Sequence, residues 1–392
     1  MHKRMIKEDV YWLGAIDWDR HLFDALIPLP EGTSYNSYLV YGSEKTVLFD
    51  TVDPEKKDIL LEQLKDVEKI DYIVTHHAEQ DHSGSLPFVL EKYPEAKVVC
   101  MAKCKSMLID HLQLPEDCFM EVKNGEELSL GNKTLSFHFM PWVHWPETMV
   151  SWLKEDRILF SCDFFGSHLA TSDLFATDKS RVYTLAKRYY AEIMMPFKLQ
   201  ISKHIKKVRE FDPLMICPSH GPVYNEPGWI IDAYDEWGSG LPENKAVVLY
   251  VSMHNSTRLM VEHLVDELVN QGVSLRQFDL IGADIGEIAL ELVDAATIVI
   301  GTPTLFGGPH PNVAYAAFVA NILKPKAKFA TVVGSKGWGG KVAERLVEML
   351  PNLQAEILDP VICRGLPTDE VKQSLSGLAE QIAKKHQELG LK

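Results

Sequence analysis

The chain has 392 residues, 46% hydrophobic and 24% charged, which is the make-up of a globular protein too long for one ordinary core and suited to two domains. A formal charge of -15 argues against nucleic acid as the main partner, because phosphate binding needs a basic face. No apolar run approaches the roughly 18 residues of a membrane span, and the charged N-terminal stretch lacks the apolar core of a signal peptide, so a cytoplasmic chain with no membrane partner is expected.

Taken in order, residues 10–14 and 21–23 read as short strands, and 34–41 with 46–50 as a hairpin around Gly42. Residues 56–65 have helical spacing. The apolar run 71–75 reads as a buried strand, followed by helices near 86–92 and 103–112 and strands at 96–100, 127–130 and 134–140. Between the 71–75 strand and Gly84 lies the densest group of ligand-type side chains in the chain: His77, Glu79, Asp81 and His82, in the pattern H-x-E-x-D-H. Alternate side chains of an extended segment share a side, so His77, Glu79 and Asp81 are expected to converge, with a turn after Asp81 bringing in His82. A polar surface loop is the plain alternative, but four residues of metal-ligand type within six positions exceed what loop composition supplies.

Three later apolar runs repeat the device of a strand ending in a ligand-type residue. Residues 135–140 lead to His144, 157–161 to Asp163, and 214–217 to His220. Singly each would read as structural; together, downstream of H-x-E-x-D-H, they point to a metal site at successive strand ends. The six cysteines (Cys100, Cys104, Cys118, Cys162, Cys217, Cys363) contain no C-x-x-C pair and read as free thiols in a reducing compartment. The basic run 203–209 reads as the solvated face of a helix.

A turn-rich break at 238–244 separates this half from regular β/α alternation, which sets a domain boundary at 243/244. Strands are expected at 246–251, 274–278, 297–300, 328–333 and 355–360, with helices at 257–271 and 370–389. Five strands with crossover helices imply a doubly wound parallel sheet. The loop Ser252, Met253, His254, Asn255, Ser256, Thr257 follows the first strand and opens a helix, where hydroxyls, backbone N–H groups and the helix N-terminus suit a phosphate. On its own a Ser/Thr-rich helix start is usually just a cap. Two further loops sit at strand ends beside the topological switch point: Pro303, Thr304, Leu305, Phe306 and Gly307, then Ser335, Lys336, Gly337, Trp338 and Gly339. Their glycines permit close approach of a flat ring, against which Phe306 or Trp338 would pack.

The order H-x-E-x-D-H, His144, Asp163, His220 resembles the metallo-β-lactamase fold, an α/β/β/α sandwich. Glu79 at the position where hydrolases of that superfamily carry His, with the flavin-type loops downstream, makes the chain similar to flavodiiron proteins. The resemblance implies an α/β protein with a metallo-β-lactamase-like sandwich over 1–243 and a flavodoxin-like FMN domain over 244–392. It implies His77, Glu79 and His144 on one iron, Asp81, His82 and His220 on the other, and Asp163 between them. A second carboxylate in the motif favours iron over zinc. His168 and Tyr190 are implied as catalytic groups beside the metals, with the Tyr189–Tyr190 pair a source of a hydrogen bond, whereas His76 and His138 are not ligands. The implied activity is reduction of dioxygen to water or nitric oxide to nitrous oxide, with electrons from rubredoxin or a reduced deazaflavin coenzyme passing through FMN to the diiron centre. The implied assembly is a homodimer, or a tetramer of head-to-tail dimers, with no rubredoxin or flavin-reductase domain appended. A zinc hydrolase with an appended flavodoxin domain and a flavodoxin-like electron shuttle are the two competing readings.

Overall fold

The computed structural model describes residues 2–391. Two compact units separate at Gly238–Ser239. The expected break at 238–244 is shorter than the turn residues suggested. The helix Gly228–Ser239 runs into it, and the next strand, Glu243–Tyr250, already begins at Glu243.

In the N-terminal unit two sheets stack. The first has seven strands, in the order Arg4–Lys7, Val10–Asp17, Thr33–Tyr41, Thr46–Phe49, Tyr72–Val74, Lys97–Cys100 and Phe119–Glu121. The second has five: Glu127–Ser129, Thr134–Phe139, Met149–Leu153, Ile158–Cys162 and Met215–Pro218. Period-2 alternation divides the side chains of the first sheet between two cores. Val47, Phe49, Val74 and Val99 face Phe137, Met149 and Phe160 of the second sheet. Leu48, Ile73 and Val98 face the opposite way, onto Leu60, Leu86 and Leu108 of the helices Lys57–Gln63, Leu86–Lys92 and Ala102–Leu112. Outside the second sheet, Phe211 of the helix Lys198–Phe211 stacks on Trp152, with ring centroids 5.2 Å apart. The result is the expected α/β/β/α sandwich. Three helices (Lys179–Tyr189, Lys198–Phe211, Gly228–Ser239) occupy a stretch in which only the basic run 203–209 reads as helical from sequence.

In the C-terminal unit a parallel sheet runs in the order Ser274–Asp279, Glu243–Tyr250, Ala295–Leu305, Phe329–Lys336 and Glu356–Ile357. In chain order this is 2-1-3-4-5, the flavodoxin arrangement, with its switch point beside the first strand. The fifth strand is not the continuous 355–360 expected. It is split into Glu356–Ile357 and Val361–Arg364, both paired to Phe329–Lys336, with Pro360, which has no N–H for the ladder, in between.

Candidate metal centre and flavin cradle

The ligand loop leaves the C-terminal end of the strand Tyr72–Val74, in the middle of the first sheet. It bends at His76, is extended at Glu79, and then enters the short helix Gln80–Ser83. Asp81 and His82 are therefore helical neighbours, and the expectation that Asp81 shares a side with His77 and Glu79 does not hold. The loop is held by its own backbone: Thr51 donates to the His82 carbonyl from its N–H at 2.7 Å and its hydroxyl at 2.6 Å, and Ser83 Oγ donates to Ala78 O at 2.9 Å.

Two groups of ligand atoms result. His77, Glu79, His144 and Asp163 form one, and Asp81, His82 and His220 form the other. Asp163, at the end of the strand Ile158–Cys162, faces both. Its Oδ2 lies 3.4 Å from Nε2 of His77 and 3.4 Å from Nε2 of His144. Its Oδ1 lies 2.9 Å from Nε2 of His82 and 3.4 Å from Nε2 of His220. Glu79 Oε2 completes the first group, 2.9 Å from His77 and 3.2 Å from His144, and Asp81 Oδ2 lies 3.2 Å from His220. All seven side chains are buried or nearly so.

Charge follows from this packing. Burial opposes a charged ring at His144, yet the facing carboxylates of Asp163 and Glu79 raise it to about 9. At His220 burial is likewise outweighed by Asp163 and Asp81, which raise it to about 10. His77 is held well above its ordinary value against burial by Glu147 and Glu79. Burial would raise the Asp163 carboxyl, but the surrounding imidazoles hold it well below the usual range. The imidazoles and carboxylates of the cluster thus favour one another's charged forms.

The donor set fits two cations. Both carboxylate oxygens of Asp81 and of Asp163, and both ring nitrogens of His82, are buried, and despite the close ion-pair distances none makes a hydrogen bond of good geometry among the described residues. Such groups are costly unless something binds them. His220 donates Nδ1–H to Ser34 O at 2.7 Å and His77 donates Nδ1–H to Glu147 Oε1 at 3.0 Å, so both rings turn Nε2 to the cluster. Three carboxylates with four imidazoles form a harder set than the histidine-rich one of zinc hydrolases.

His76, at the bend beside His77, turns the other way. Its ring bridges Asp50 Oδ2 at 2.7 Å and Ser151 Oγ at 2.8 Å in the core between the sheets. His138 bonds Ser136 Oγ at 3.0 Å, away from the cluster. His168 is buried beside it, 5.0 Å ring to ring from His220. Its Nδ1 pairs with Thr33 Oγ1 at 3.0 Å, and its Nε2 lacks a partner among the described residues. Burial, then the neighbouring His220, keeps it neutral. The tyrosine at this site is Tyr189, 4.9 Å from His168, and not Tyr190, whose ring packs on Tyr234 and Trp237. Adjacent helical residues point about 100° apart, which sequence spacing alone could not resolve. Glu147, fully buried three residues after His144, has no motif in the sequence that marks it.

In the C-terminal unit a cavity of about 440 Å³ is lined by Met253, His254, Ser256, Pro303, Thr304, Leu305, Phe306, Ser335, Lys336, Gly337, Trp338 and Gly365. Gly365 was not foreseen. Ser252, Asn255, Thr257, Gly307 and Gly339 do not line it. Asn255 instead supplies a left-handed residue (φ 66°) that turns the chain into the helix Ser256–Asn270, Ser252 Oγ accepts from Arg258 N at 3.2 Å, and Thr257 bonds Ser335 Oγ at 3.0 Å. Thr304 Oγ1 is buried without a partner among the described residues, while Phe306 (94% exposed) and Trp338 (82%) stand open at the rim. A helix N-terminus, hydroxyls and two exposed rings suit a phosphate joined to a flat aromatic group.

Known proteins agree with this reading. A family model described as "ODP family beta lactamase" matches residues 33–221. The chain is 34% identical over 390 residues to a nitric oxide reductase of Moorella thermoacetica, covering 96% of this chain and 97% of that protein. The solved structure of rubredoxin oxygen:oxidoreductase from Desulfovibrio gigas matches with a TM-score of 0.94 at 32% identity, over 98% of each chain. The flavodiiron protein of Giardia intestinalis matches with a TM-score of 0.91 at 28% identity, over 98% of this chain and 96% of that one. By sequence along its length and by the fold of both units, the chain belongs to the flavodiiron protein family.

Proposed function

We propose that this protein is an oxidoreductase that takes electrons from an external donor and reduces dioxygen to water, nitric oxide to nitrous oxide, or both. The Moorella relative is named for nitric oxide and the Desulfovibrio protein for rubredoxin and oxygen, and those two gases and that class of donor carry over into the proposal. The observation that carries it is the position of Asp163, one oxygen toward each group of ligands in a site with three carboxylates. A zinc hydrolase is disfavoured by the same carboxylate count, and a simple electron shuttle has no use for the buried cluster.

FMN and an iron pair, when bound, supply the electron transfer and the binding of the gas. His77, Glu79 and His144 would hold one iron, Asp81, His82 and His220 the other, and Asp163 both. His168, held neutral, keeps Nε2 unpartnered among the described residues with its ring 5.0 Å from that of His220 and against Phe23 and Tyr189, and this nitrogen would be available to exchange a proton there. Ser256 and the N-terminus of its helix would hold the FMN phosphate, and Trp338 and Phe306 would cover the ring. The unit of function in this reading is a homodimer in which the FMN of one copy serves the irons of the other.

The test is metal and flavin analysis of protein made with ample iron, then anaerobic reduction and separate exposure to each gas. Two irons and one FMN per chain with turnover of either gas are expected. Two zincs without iron, or full loading without consumption of either gas, would overturn the proposal. Dimerisation is checked by mixing a variant that lacks iron with one that lacks FMN, since a mixed dimer regains one working pair.

A further inference from the structure

Glu147 is completely buried, and its partners are all on the ligand loop. Its Oε1 accepts from His77 Nδ1–H at 3.0 Å and from the Ala78 backbone N–H at 3.0 Å, while Oε2 has no hydrogen-bond partner among the described residues. A buried carboxylate costs several kcal/mol in lost hydration. Satisfying one backbone N–H does not justify that cost, since a carbonyl or a hydroxyl would do so without charge. What a carboxylate adds is a strong acceptor that fixes one ring nitrogen of His77 as the donor and leaves the other aimed at Glu79 and Asp163.

The neighbouring contacts make this segment a template for the loop. Two residues beyond Glu147, Met149 N–H donates to His76 O at 3.0 Å, and Ser151 Oγ meets His76 Nε2 at 2.8 Å. Three residues before it, His144 enters the metal cluster itself. One short run from the second sheet therefore contributes a ligand and fixes the orientation of two histidines from the first sheet.

We propose that Glu147 is the positioning residue of the first metal site, acting through His77 to hold its Nε2 toward Glu79, His144 and Asp163. The proposal rests on the two-metal reading above but does not depend on the metal being iron.

The experiment is cobalt(II) titration of the metal-free full-length protein, followed by its ligand-field absorption. The wild type is expected to take two cobalt ions. Glu147→Ala should weaken one of the two steps by about 10–100-fold and change its absorption bands. Glu147→Gln, whose side-chain oxygen accepts the same two hydrogen bonds, should restore the wild-type bands. The deciding measurement is Glu147→Ala in a His77→Ala background. A residue acting through His77 adds less than about threefold there, whereas one that merely braces the loop adds its full cost again. Unchanged binding in Glu147→Ala, or a full further loss in the double variant, overturns the proposal. Two cobalt sites in a protein that accumulates zinc from iron-replete cells would refute the iron reading alone, and absence of cobalt binding by the wild type would refute both.

Discussion

Asp163→Asn removes one charge and no volume, and its effect can be worked from the site. Metal sites with four protein ligands bind with apparent free energies of about 10–16 kcal/mol, so one ligand in four carries about 3 kcal/mol, roughly a hundredfold in affinity. Glu79 and Asp81 each belong to one group of ligands, and losing either should cost about that much at a single site. Asp163 directs Oδ2 to His77 and His144 and Oδ1 to His82 and His220, so its loss is charged to both sites. The product of the two binding constants should fall by about four orders of magnitude, twice the logarithmic loss of Glu79→Gln. Competition against a chelator of known affinity, with metal counted per chain at each step, measures both constants. A loss confined to one site, or no larger than that of Glu79→Gln, would refute the assignment of Asp163 as the shared ligand.

Other expected outcomes follow from single contacts. Ser256→Ala should weaken FMN by about 1–3 kcal/mol, the range for a hydrogen bond to a charged group, as read by recovery of flavin fluorescence on dilution; Asp163→Asn should leave FMN binding unchanged. Gly14 has φ of +126°, and a Cβ there would sit 2.1 Å from Tyr35 O, so Gly14→Ala should cost about 3 kcal/mol in the denaturant-unfolding transition of the N-terminal unit. His386 is buried between Thr297 Oγ1 at 2.7 Å and Asn244 Oδ1 at 2.9 Å, and burial lowers it from 6.5 to about 4. The unfolded chain therefore binds the extra proton first. This stabilising contribution is complete above about pH 6.5 and is lost progressively as pH falls toward 4. His386→Gln should remove that part of the pH dependence of unfolding between pH 7.5 and 5, and an unchanged slope would refute it.

Much of the fold could be read because each strand announces itself by apolar run and turn, and because 2-1-3-4-5 order follows from β/α alternation once five strands are found. The candidate ligands were legible for a related reason: each is placed by the end of a strand, and strand ends are visible in the sequence. Other features depend on distance in space. That the loop becomes helical at Gln80, and so divides Asp81 from Glu79, is decided by Thr51 and Ser83 gripping its backbone. Tyr189 takes the place expected of Tyr190 through helical phase set by a core of Tyr234 and Trp237. Glu147 looked like one more acidic residue after Pro146, because its meaning lies in His77, seventy positions earlier. The split of the last strand was signalled only by Pro360.

The ligand cluster draws His77, Glu79, Asp81 and His82 from the first sheet and His144, Asp163 and His220 from the second. Neither half can hold a metal pair until the two sheets have closed on one another. A metal pair held by both halves makes loss of the metals and separation of the sheets a single event, so the unfolding of the N-terminal unit should shift with the concentration of free metal.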